Sequence, residues 1–272
     1  MGSTMDFLYK YRSCRSEAEF KDRIVPLLNG QLWYARAAEV NDPFEFRCVV
    51  NLHFDPDKTI DAFIIVERFL NPGASKEAAE AKVRAVLRAV PRDQLKLRQW
   101  EFSYEMWKQM SSMITMCCLA GTPTSTLLWS HYADGHKGVA IGIDPAGVEE
   151  ATFPVSYRSA IPSVPPLALV DVSEAIKHEL FDLLFLQKAE CWSYEKEYRI
   201  LRHGAVAHAA SLPQNAIKRI IFGCAMPADM RSFALEWLEA YAPHITVAFA
   251  LPSDENTYGL TVVSADQVDL SR

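Results

Sequence analysis

Residues 129–144 read "WSHYADGHKGVAIGID", and the stretch changes from polar to apolar at Gly138. The run after the glycine is almost entirely apolar, which is typical of a buried β-strand. The residues before it carry hydroxyl, imidazole and carboxylate groups within eight positions. The stretch therefore predicts a core strand that is entered through a polar loop, and we expect this loop to line a cleft.

Patterns on the N-terminal side predict further elements. "FLYKYRS" (7–13) alternates aromatic and polar residues, as a strand does. "SEAEFKDRIVPLLNG" (16–30) predicts a helix with Ser16 as N-cap and a stop at Asn29–Gly30, because Glu19 follows the cap by three residues. "QLWYARAAEV" (31–40) predicts a second strand, which the turn at Asn41–Pro43 ends. From about 57 to 113 the pattern is helical, with three helices.

Patterns on the C-terminal side continue the mixture of strands and helices. Strands are predicted at 113–121, 153–159, 194–202, 216–223, 245–253 and 258–265, and helices at 173–192 and 227–241. The elements do not alternate as regular βα units. The sequence therefore predicts a single α+β domain over residues 5–272 with a mixed, mostly antiparallel sheet. Residues 57–113 form a helical insertion or subdomain in this prediction.

Composition narrows the function classes. The chain has 272 residues, of which 50% are hydrophobic and 23% charged, and its formal net charge is −6. This charge argues against a general polyanion-binding surface, although it leaves room for a local basic patch. No apolar run has the length of a membrane span, and the N-terminus lacks the features of a secretion signal. We therefore expect a cytoplasmic protein without a membrane partner, and free thiols at its six cysteines.

Two chemical interpretations of the polar loop remain as alternatives. His131, Asp134 and His136 have spacings that could suit a metal on a turn, but the paired-histidine helix signature of catalytic zinc is missing. The prediction is therefore no metal, with a metal-dependent hydrolase as an alternative. Cys117 or Cys118 could act as a nucleophile with His131, although strand cysteines are usually core residues.

Three further stretches carry candidate site residues. On an extended strand, "WSYEKEYRI" (192–200) would place Glu195, Glu197 and Arg199 on one face, where the two carboxylates require compensation or a use. The alternative is an exposed edge strand. In "LYKYRS" (8–13), Arg12 could clamp a carboxylate or phosphate, or pack its stem on tyrosines. In the "NDPFEFR" turn (41–47), Glu45 and Arg47 could pair. The chain has no glycine-rich phosphate loop.

These stretches resemble a bacterial family known as domain of unknown function 2971, over roughly residues 7–225. The resemblance rests most specifically on the "NDPFE" turn and on the blocks "LW..YA..H.G.AIG" and "W..E.EYR". The family is uncharacterised, so the resemblance implies no chemistry by itself.

A more distant, fold-level resemblance is to the ADP-ribosyltransferases. It implies a split sheet that holds NAD in a cleft, with Glu197 as catalytic carboxylate and Glu195 beside it. The NAD-binding residues that it implies lie on the early strands and the middle loop: Lys10, Tyr11, Arg12, Ser13, Trp33, Asn41, Ser130, His131 and Tyr132. Lys10 stands where some of these transferases have a histidine, so either Lys10 or Arg12 takes the ribose or phosphate contact.

The function expected from this resemblance is an enzyme that cleaves NAD and transfers ADP-ribose to a nucleic-acid or protein acceptor. Its setting would be that of a bacterial toxin or a phage-defence effector. A carboxylate against the ribose would stabilise the cationic transition state. Two alternatives stay open: a non-catalytic module that binds a nucleotide or partner in the same cleft, and the metal-dependent hydrolase.

Overall fold

The computed structural model describes residues 7–51, 56–89, 95–164, 174–213, 215–254 and 257–268. Its strands are β1 (Leu8–Arg12), β2 (Gln31–Arg36), β3 (Val49–Val50), β4 (Ile114–Ala120), β5 (Val139–Ile143), β6 (Phe153–Pro154), β7 (Ser156–Arg158), β8 (Ser163–Val164), β9 (Gln187–Ala189), β10 (Glu197–His203), β11 (His208–Ser211), β12 (Ile217–Gly223), β13 (Thr246–Pro252) and β14 (Leu260–Ser264). Its α-helices are α1 (Glu17–Glu19), α2 (Val25–Leu28), α3 (Pro56–Leu70), α4 (Lys76–Ala89), α5 (Leu95–Met113), α6 (Thr126–Tyr132), α7 (Glu174–Phe185) and α8 (Ala228–Tyr241).

The main sheet is mixed and mostly antiparallel, as the sequence predicts. Hydrogen-bonded neighbours follow one another in the series β11-β2-β4-β1-β5-β12-β13-β14, in which β1 and β2 both pair with β4. β12 and β13 are the parallel pair of this series. β10 pairs along the whole of β4 and also contacts β6. Two small sheets, β3–β8 and β7–β9, lie apart from the main sheet.

The sheet splits along β4. Because β10 occupies one edge of β4, β1 and β2 must share the other edge. β1 pairs there only through Tyr9 and Ala120, at one end of the strand. β2 pairs only near the other end, through Ala35 with Met116 and the next residue pair. The gap between β1 and β2 exposes the middle of this edge of β4 and positions the cleft described below.

Helices cover both faces of the main sheet. On one face, Phe20 and α8 residues such as Ala234 pack with the sheet residues Leu8 and Ile141. On the other face, Trp129 of α6 packs with a separate set of sheet residues that includes Tyr9, Tyr11 and Ala140. Burial of each large apolar side chain contributes roughly 1.5–3 kcal/mol, so both faces are anchored.

The first helical segment follows its sequence signals. The Ser16 side chain accepts a hydrogen bond from the Glu19 backbone N–H, so the predicted N-cap is confirmed. The segment ends at Gly30, whose φ of +82° is the left-handed conformation that favours glycine. The middle of the segment, Phe20–Ile24, is a π-helical turn, which the sequence pattern does not predict.

The three helices predicted over residues 57–113 are present as α3, α4 and α5. α3 and α4 pack against each other through apolar residues that include Phe63 and Val83. α5 packs its Met106 and Met110 on β3 and α7. No helix in the described parts of the chain combines the length and the apolar character that crossing a bilayer requires.

Two sequence predictions about the segment 173–203 are wrong. The helix predicted over 173–192 ends at Phe185 (its first residue lies outside the described ranges), because β9 pairs with β7 directly afterwards. Tertiary pairing here overrides helix propensity. The next strand begins at Glu197, since Glu190–Glu195 form a 3₁₀-helix that Lys196 ends at a φ of +45°. This strand, β10, is also not an exposed edge, because β4 and β6 flank it.

The loop between α6 and β5 passes very close to its neighbours. Asp134, Gly135 and His136 all have positive φ, which turns the chain sharply after α6. A Cβ atom at Gly138 would lie only 2.1 Å from the Arg12 carbonyl oxygen. Glycine therefore allows β5 to start against β1, where the sequence predicts the change from loop to core strand.

Candidate functional site

A cleft of about 330 Å³ opens where β1 and β2 diverge. Eight of the eleven site residues predicted from the sequence line it: Lys10, Tyr11, Arg12, Trp33, Asn41, Tyr132, Glu195 and Glu197. They come from four separate parts of the chain. The volume is at the lower end of the range of about 300–1,000 Å³ for small-molecule sites.

Five buried charged residues form a continuous network at the base of the cleft. Lys188 Nζ lies 2.6 Å from Glu195 Oε2 and 2.8 Å from Glu197 Oε2. Arg199 Nε lies 2.8 Å from Glu197 Oε1, and Arg199 Nη1 lies 2.7 Å from Glu45 Oε1. Each of the five residues is at most 8% exposed. Buried charges of this kind are tolerated only when they are paired, as these are.

The small β7–β9 sheet positions Lys188. Lys188 is the central residue of β9 and is in register with Tyr157 of β7. The Tyr157 hydroxyl accepts a hydrogen bond of 2.7 Å from the backbone N–H of Glu197. Because α7 ends at Phe185, Lys188 is free to join the β7–β9 sheet, and Tyr157 of this sheet holds the start of β10 beside it.

A polar arm extends from the network to the cleft wall. The Tyr132 hydroxyl donates to Glu195 Oε1 at 2.7 Å. It accepts from Asn41 Nδ2 at 2.8 Å. Burial, and then the charge of Glu195, raise the pKa of Tyr132 above its ordinary value, so the phenol stays protonated and can donate. The arm therefore joins α6 and the 41–47 turn to Glu195.

The two cations keep Glu197 ionised. Burial alone would raise its pKa, but the charges of Arg199 and Lys188 outweigh burial and lower the pKa to about 2. Burial likewise opposes the charge on Lys188, yet Glu197 and Glu195 together raise the pKa of its ammonium above the ordinary value. Glu197 and Lys188 are therefore both charged at neutral pH.

Glu45 is the carboxylate with the weakest compensation. Three carboxylates share two cations, and Arg199 is divided between Glu197 and Glu45. Burial raises the pKa of Glu45 to about 7, although Arg199 opposes this rise. Glu45 is thus the group in the network that changes its protonation near neutral pH.

This shift predicts a pH dependence of stability. Below pH 4.5, the ordinary pKa, Glu45 is protonated in both the folded and the unfolded chain. As the pH rises from 4.5 towards 7, the carboxyl ionises in the unfolded chain while it stays protonated in the folded chain. This ionisation stabilises only the unfolded chain, so the free energy of unfolding falls. We expect the thermal midpoint of the wild type to fall between pH 5 and 7.5 more steeply than that of Glu45→Gln. Thermal unfolding monitored by circular dichroism at several pH values measures both curves.

Glu17, an exposed carboxylate, supplies the matched control. A Glu17→Gln variant should keep the pH slope of the wild type. Equal slopes for Glu45→Gln and the wild type would contradict the assignment of the titration to Glu45. Glu197 does not interfere in this range, because its contribution is lost only as the pH falls from 4.5 towards 2.

Lys10 and Cys118 form the wall at the split in the sheet. Lys10 Nζ donates to the Cys118 backbone carbonyl at 2.6 Å and thereby bridges β1 and β4 where their backbones do not pair. Burial, and then the nearby charge of Glu197, raise the pKa of the Cys118 thiol well above its ordinary value. Cys118 is therefore a neutral thiol, which does not support the nucleophile alternative. Cys117, its neighbour, is fully buried.

Arg12 provides a cation at the cleft without an acidic partner. Its Nη1 donates to the Tyr11 carbonyl at 3.3 Å, and no carboxylate in the described ranges forms an ion pair with it. Burial lowers the pKa of the guanidinium from its ordinary value, which reports the cost of holding this charge away from water. An anionic ligand would offset this cost. Tyr11 is held in place by its own hydroxyl, which donates to the Thr122 carbonyl at 2.8 Å.

Three residues of the sequence prediction lie away from the cleft lining. Ser13 bonds to Glu19 and Arg23 at the start of the first helical segment. Ser130 is exposed and donates to the Thr126 carbonyl within α6. His131 is exposed, with its ring beside Tyr132 and Tyr194. Their positions on a strand end and a helix turn point these side chains away from the gap between β1 and β2.

The metal alternative does not agree with the geometry. Asp134 forms an ion pair with Arg15 at 2.9 Å, and His136 contacts Ser130. Among the described residues, no group of three histidine, cysteine, aspartate or glutamate side chains is placed to hold a metal ion. The contacts of Asp134 and His136 are with Arg15 and Ser130, and the His131 ring lies beside Tyr132 and Tyr194.

Sequence reasoning missed two members of the network. Lys188 lies inside the predicted helix 173–192, where no pattern marks it as a partner of Glu195 and Glu197. The turn allows a pair between Glu45 and Arg47, but Glu45 pairs with Arg199, and Arg47 lies over the ring of Trp107 at 3.9 Å. The excess of carboxylates in "YEKE" was the available signal, because buried like charges require a cation nearby.

The fold and the site define an α+β protein with a charged cleft at the split of its main sheet. The model of a family described as protein of unknown function (DUF2971) matches residues 128–200, and this match supports the family resemblance over that segment. The matched segment contains most of α6, all of β5 and four of the five network residues, since Glu45 lies outside it. No curated protein and no solved structure matches the chain.

Proposed function

We propose that this chain is an ADP-ribosyltransferase-like enzyme that cleaves NAD and transfers ADP-ribose to an acceptor. The observation that carries the proposal is the convergence of Arg12 with Glu195 and Glu197 on one cleft at the split of the sheet. Arg12 is more than 180 positions away from either glutamate in the sequence. A cytoplasmic toxin or phage-defence effector is the biological setting that fits such an activity.

The cleft offers groups for each part of the dinucleotide. Arg12, which pairs with no carboxylate among the described residues, can form paired hydrogen bonds with the diphosphate, and Lys10 lies on the same strand. Trp33 is 52% exposed and, with Tyr132, gives flat surface on which nicotinamide can stack. The volume suits nicotinamide with its ribose, so the adenosine half would extend towards solvent.

Glu195 is the better candidate for the carboxylate that touches the ribose. Glu197 receives bonds from Arg199 at both oxygens and from Lys188 at one of them. Glu195 has one bond from Tyr132 and one from Lys188, and a carboxylate has about four acceptor sites. In this proposal Glu195 is catalytic, while Glu197 and Lys188 act as positioning residues.

The chemistry is a substitution at the ribose carbon that carries nicotinamide. The carbon–nitrogen bond breaks and its electron pair leaves with nicotinamide, which becomes neutral. The ribose gains oxocarbenium-like character, which the Glu195 carboxylate stabilises electrostatically. The acceptor then forms a bond to this carbon and loses a proton. With water as acceptor, the products are nicotinamide, ADP-ribose and a proton.

Incubation of the protein with NAD tests the proposal directly. We expect release of free nicotinamide, measured by liquid chromatography, at a rate above that of a protein-free control. Arg12→Gln should raise KM for NAD on the order of tenfold, because a charge-assisted bond to phosphate is worth roughly 1.5–3 kcal/mol. Arg88→Gln, an exposed residue of α4 that does not line the cleft, is the matched control and should behave as the wild type. A lack of nicotinamide release, with and without candidate acceptors, would contradict the proposal.

A second candidate is a non-catalytic module that binds a nucleotide in the same cleft. Both carboxylates are already held in ion pairs, and this observation favours a structural role for them. Calorimetric titration with NAD separates the two candidates. Binding without release of nicotinamide would favour the module, whereas binding with release would favour the enzyme.

A further inference from the structure

A groove with aromatic and cationic side chains lies behind the 41–47 turn. Two hollows of about 270 and 300 Å³ form it, and both are lined by Arg47 and Ile161. Phe44 and Arg158 line one hollow, while Trp100 lines the other. None of the residues that line either hollow is acidic.

Each of the two hollows is lined by an exposed aromatic ring. Trp100 is 61% exposed and Phe44 is 58% exposed, so both rings are accessible to a ligand. The Trp100 ring stacks on Tyr104 with a centroid distance of 5.4 Å and an interplanar angle of 11°. This stacking fixes the orientation of Trp100 on α5, so its outer face is a preformed flat platform.

The two arginines of the groove, Arg47 and Arg158, have no acidic partners in the described ranges. Arg47 lies over the Trp107 and Tyr104 rings, and its buried Nε has no hydrogen-bond partner there. Arg158 donates to the neutral side chain of Gln187. A protein that pairs its charges at the base of the cleft therefore leaves these arginines free to bind an anion.

We propose that this groove binds single-stranded nucleic acid, with bases on Trp100 and Phe44 and the phosphates beside Arg47 and Arg158. Flat rings with interleaved cations are the recognition pattern for unpaired bases and their backbone. A double-stranded nucleic acid cannot bind in this way, because its bases are stacked on each other and their faces are not accessible to the rings. The local cations make this surface a basic patch on a chain of net charge −6.

The position of the groove connects it with the proposed function, on which its role as acceptor site rests. The 41–47 turn separates the two sites: Asn41 and Glu45 line the cleft, whereas Phe44 and Arg47 line the groove. A strand bound in the groove would thus run beside the cleft in which ADP-ribose is released. Nucleic acid is therefore the acceptor class that the groove favours over protein.

Fluorescence anisotropy with labelled 12-nucleotide single-stranded DNA and RNA of mixed sequence tests the groove without NAD. We expect binding by the wild type to at least one of the two probes. Trp100→Ala should weaken it by roughly tenfold through loss of stacking. Arg158→Gln should reduce the slope of log Kd against log salt by about 0.7. Tyr258→Ala, a fully exposed ring outside the groove, is the matched control and should leave Kd unchanged.

Several results would overturn the inference. They are no binding of either probe at 100-fold molar excess of protein, equal binding by Trp100→Ala and the wild type, or tighter binding of a duplex of the same sequence. The outcome is separable from that of the NAD assay, because Glu195→Gln should keep the anisotropy change of the wild type. Labelled NAD then distinguishes acceptors: transfer to protein but not to the bound oligonucleotide would overturn the role as acceptor site.

Discussion

Glu195→Gln is expected to lower kcat for nicotinamide release by about 100- to 1,000-fold, because it removes the charge that stabilises the ribose in the transition state. The amide oxygen of glutamine can still accept from Tyr132, and Lys188 keeps its second partner, Glu197. The fold should therefore survive the change. Steady-state kinetics and a thermal unfolding curve on the same protein preparation measure the two effects.

Two further variants make this result specific. Glu190→Gln changes an exposed carboxylate in the same 3₁₀-helix and should keep the activity of the wild type. Glu197→Gln should lose activity together with stability, because it removes the one carboxylate that Arg199 and Lys188 share in the network. Wild-type turnover by Glu195→Gln would show that this carboxylate takes no part in catalysis.

The sequence predicts the elements of this fold well because their signals are local. The N-cap at Ser16, the glycine stop at Gly30 and the apolar run after Gly138 each depend on residues within one turn or strand. Local sequence patterns therefore predict the main strands and the three inserted helices. Pairing between strands is not local, so no pattern within one segment predicts that β1 and β2 share one edge of β4.

The segment 186–197 shows where local patterns fail. Residues after Phe185 keep a helical pattern, yet pairing of β9 with β7 draws them into a strand. Glu195 and Glu197 were expected to share a face by strand alternation. They converge through a different geometry, because a 3₁₀-helix and a left-handed Lys196 place both carboxylates on Lys188. Both carboxylates contact Lys188, but the backbone that brings them there is not the predicted continuous strand.

Arg199→Met is expected to lower the free energy of unfolding by about 3–5 kcal/mol, since loss of one partner leaves buried charge without compensation. The side chain of Arg199 is completely buried, and its removal affects both Glu197 and Glu45. Methionine has a similar volume, so loss of packing contributes little. Urea unfolding monitored by tryptophan fluorescence measures the change.

Arg84→Met on α4 is the matched control. Arg84 pairs with Glu80 at 2.7 Å, but both side chains are more than a third exposed, so this change should cost at most about 1 kcal/mol. Equal losses for the two variants would mean that the buried network does not stabilise the fold.

A second variant separates uncompensated charge from lost packing. Glu45→Gln combined with Arg199→Met removes one of the two carboxylates that the single change leaves without a guanidinium. If charge is the cause, the double variant should be more stable than Arg199→Met alone, because one buried carboxylate fewer needs compensation. If packing were the cause, the second change would bring no recovery. Recovery would identify Arg199 as the residue that allows three carboxylates to lie beneath the cleft.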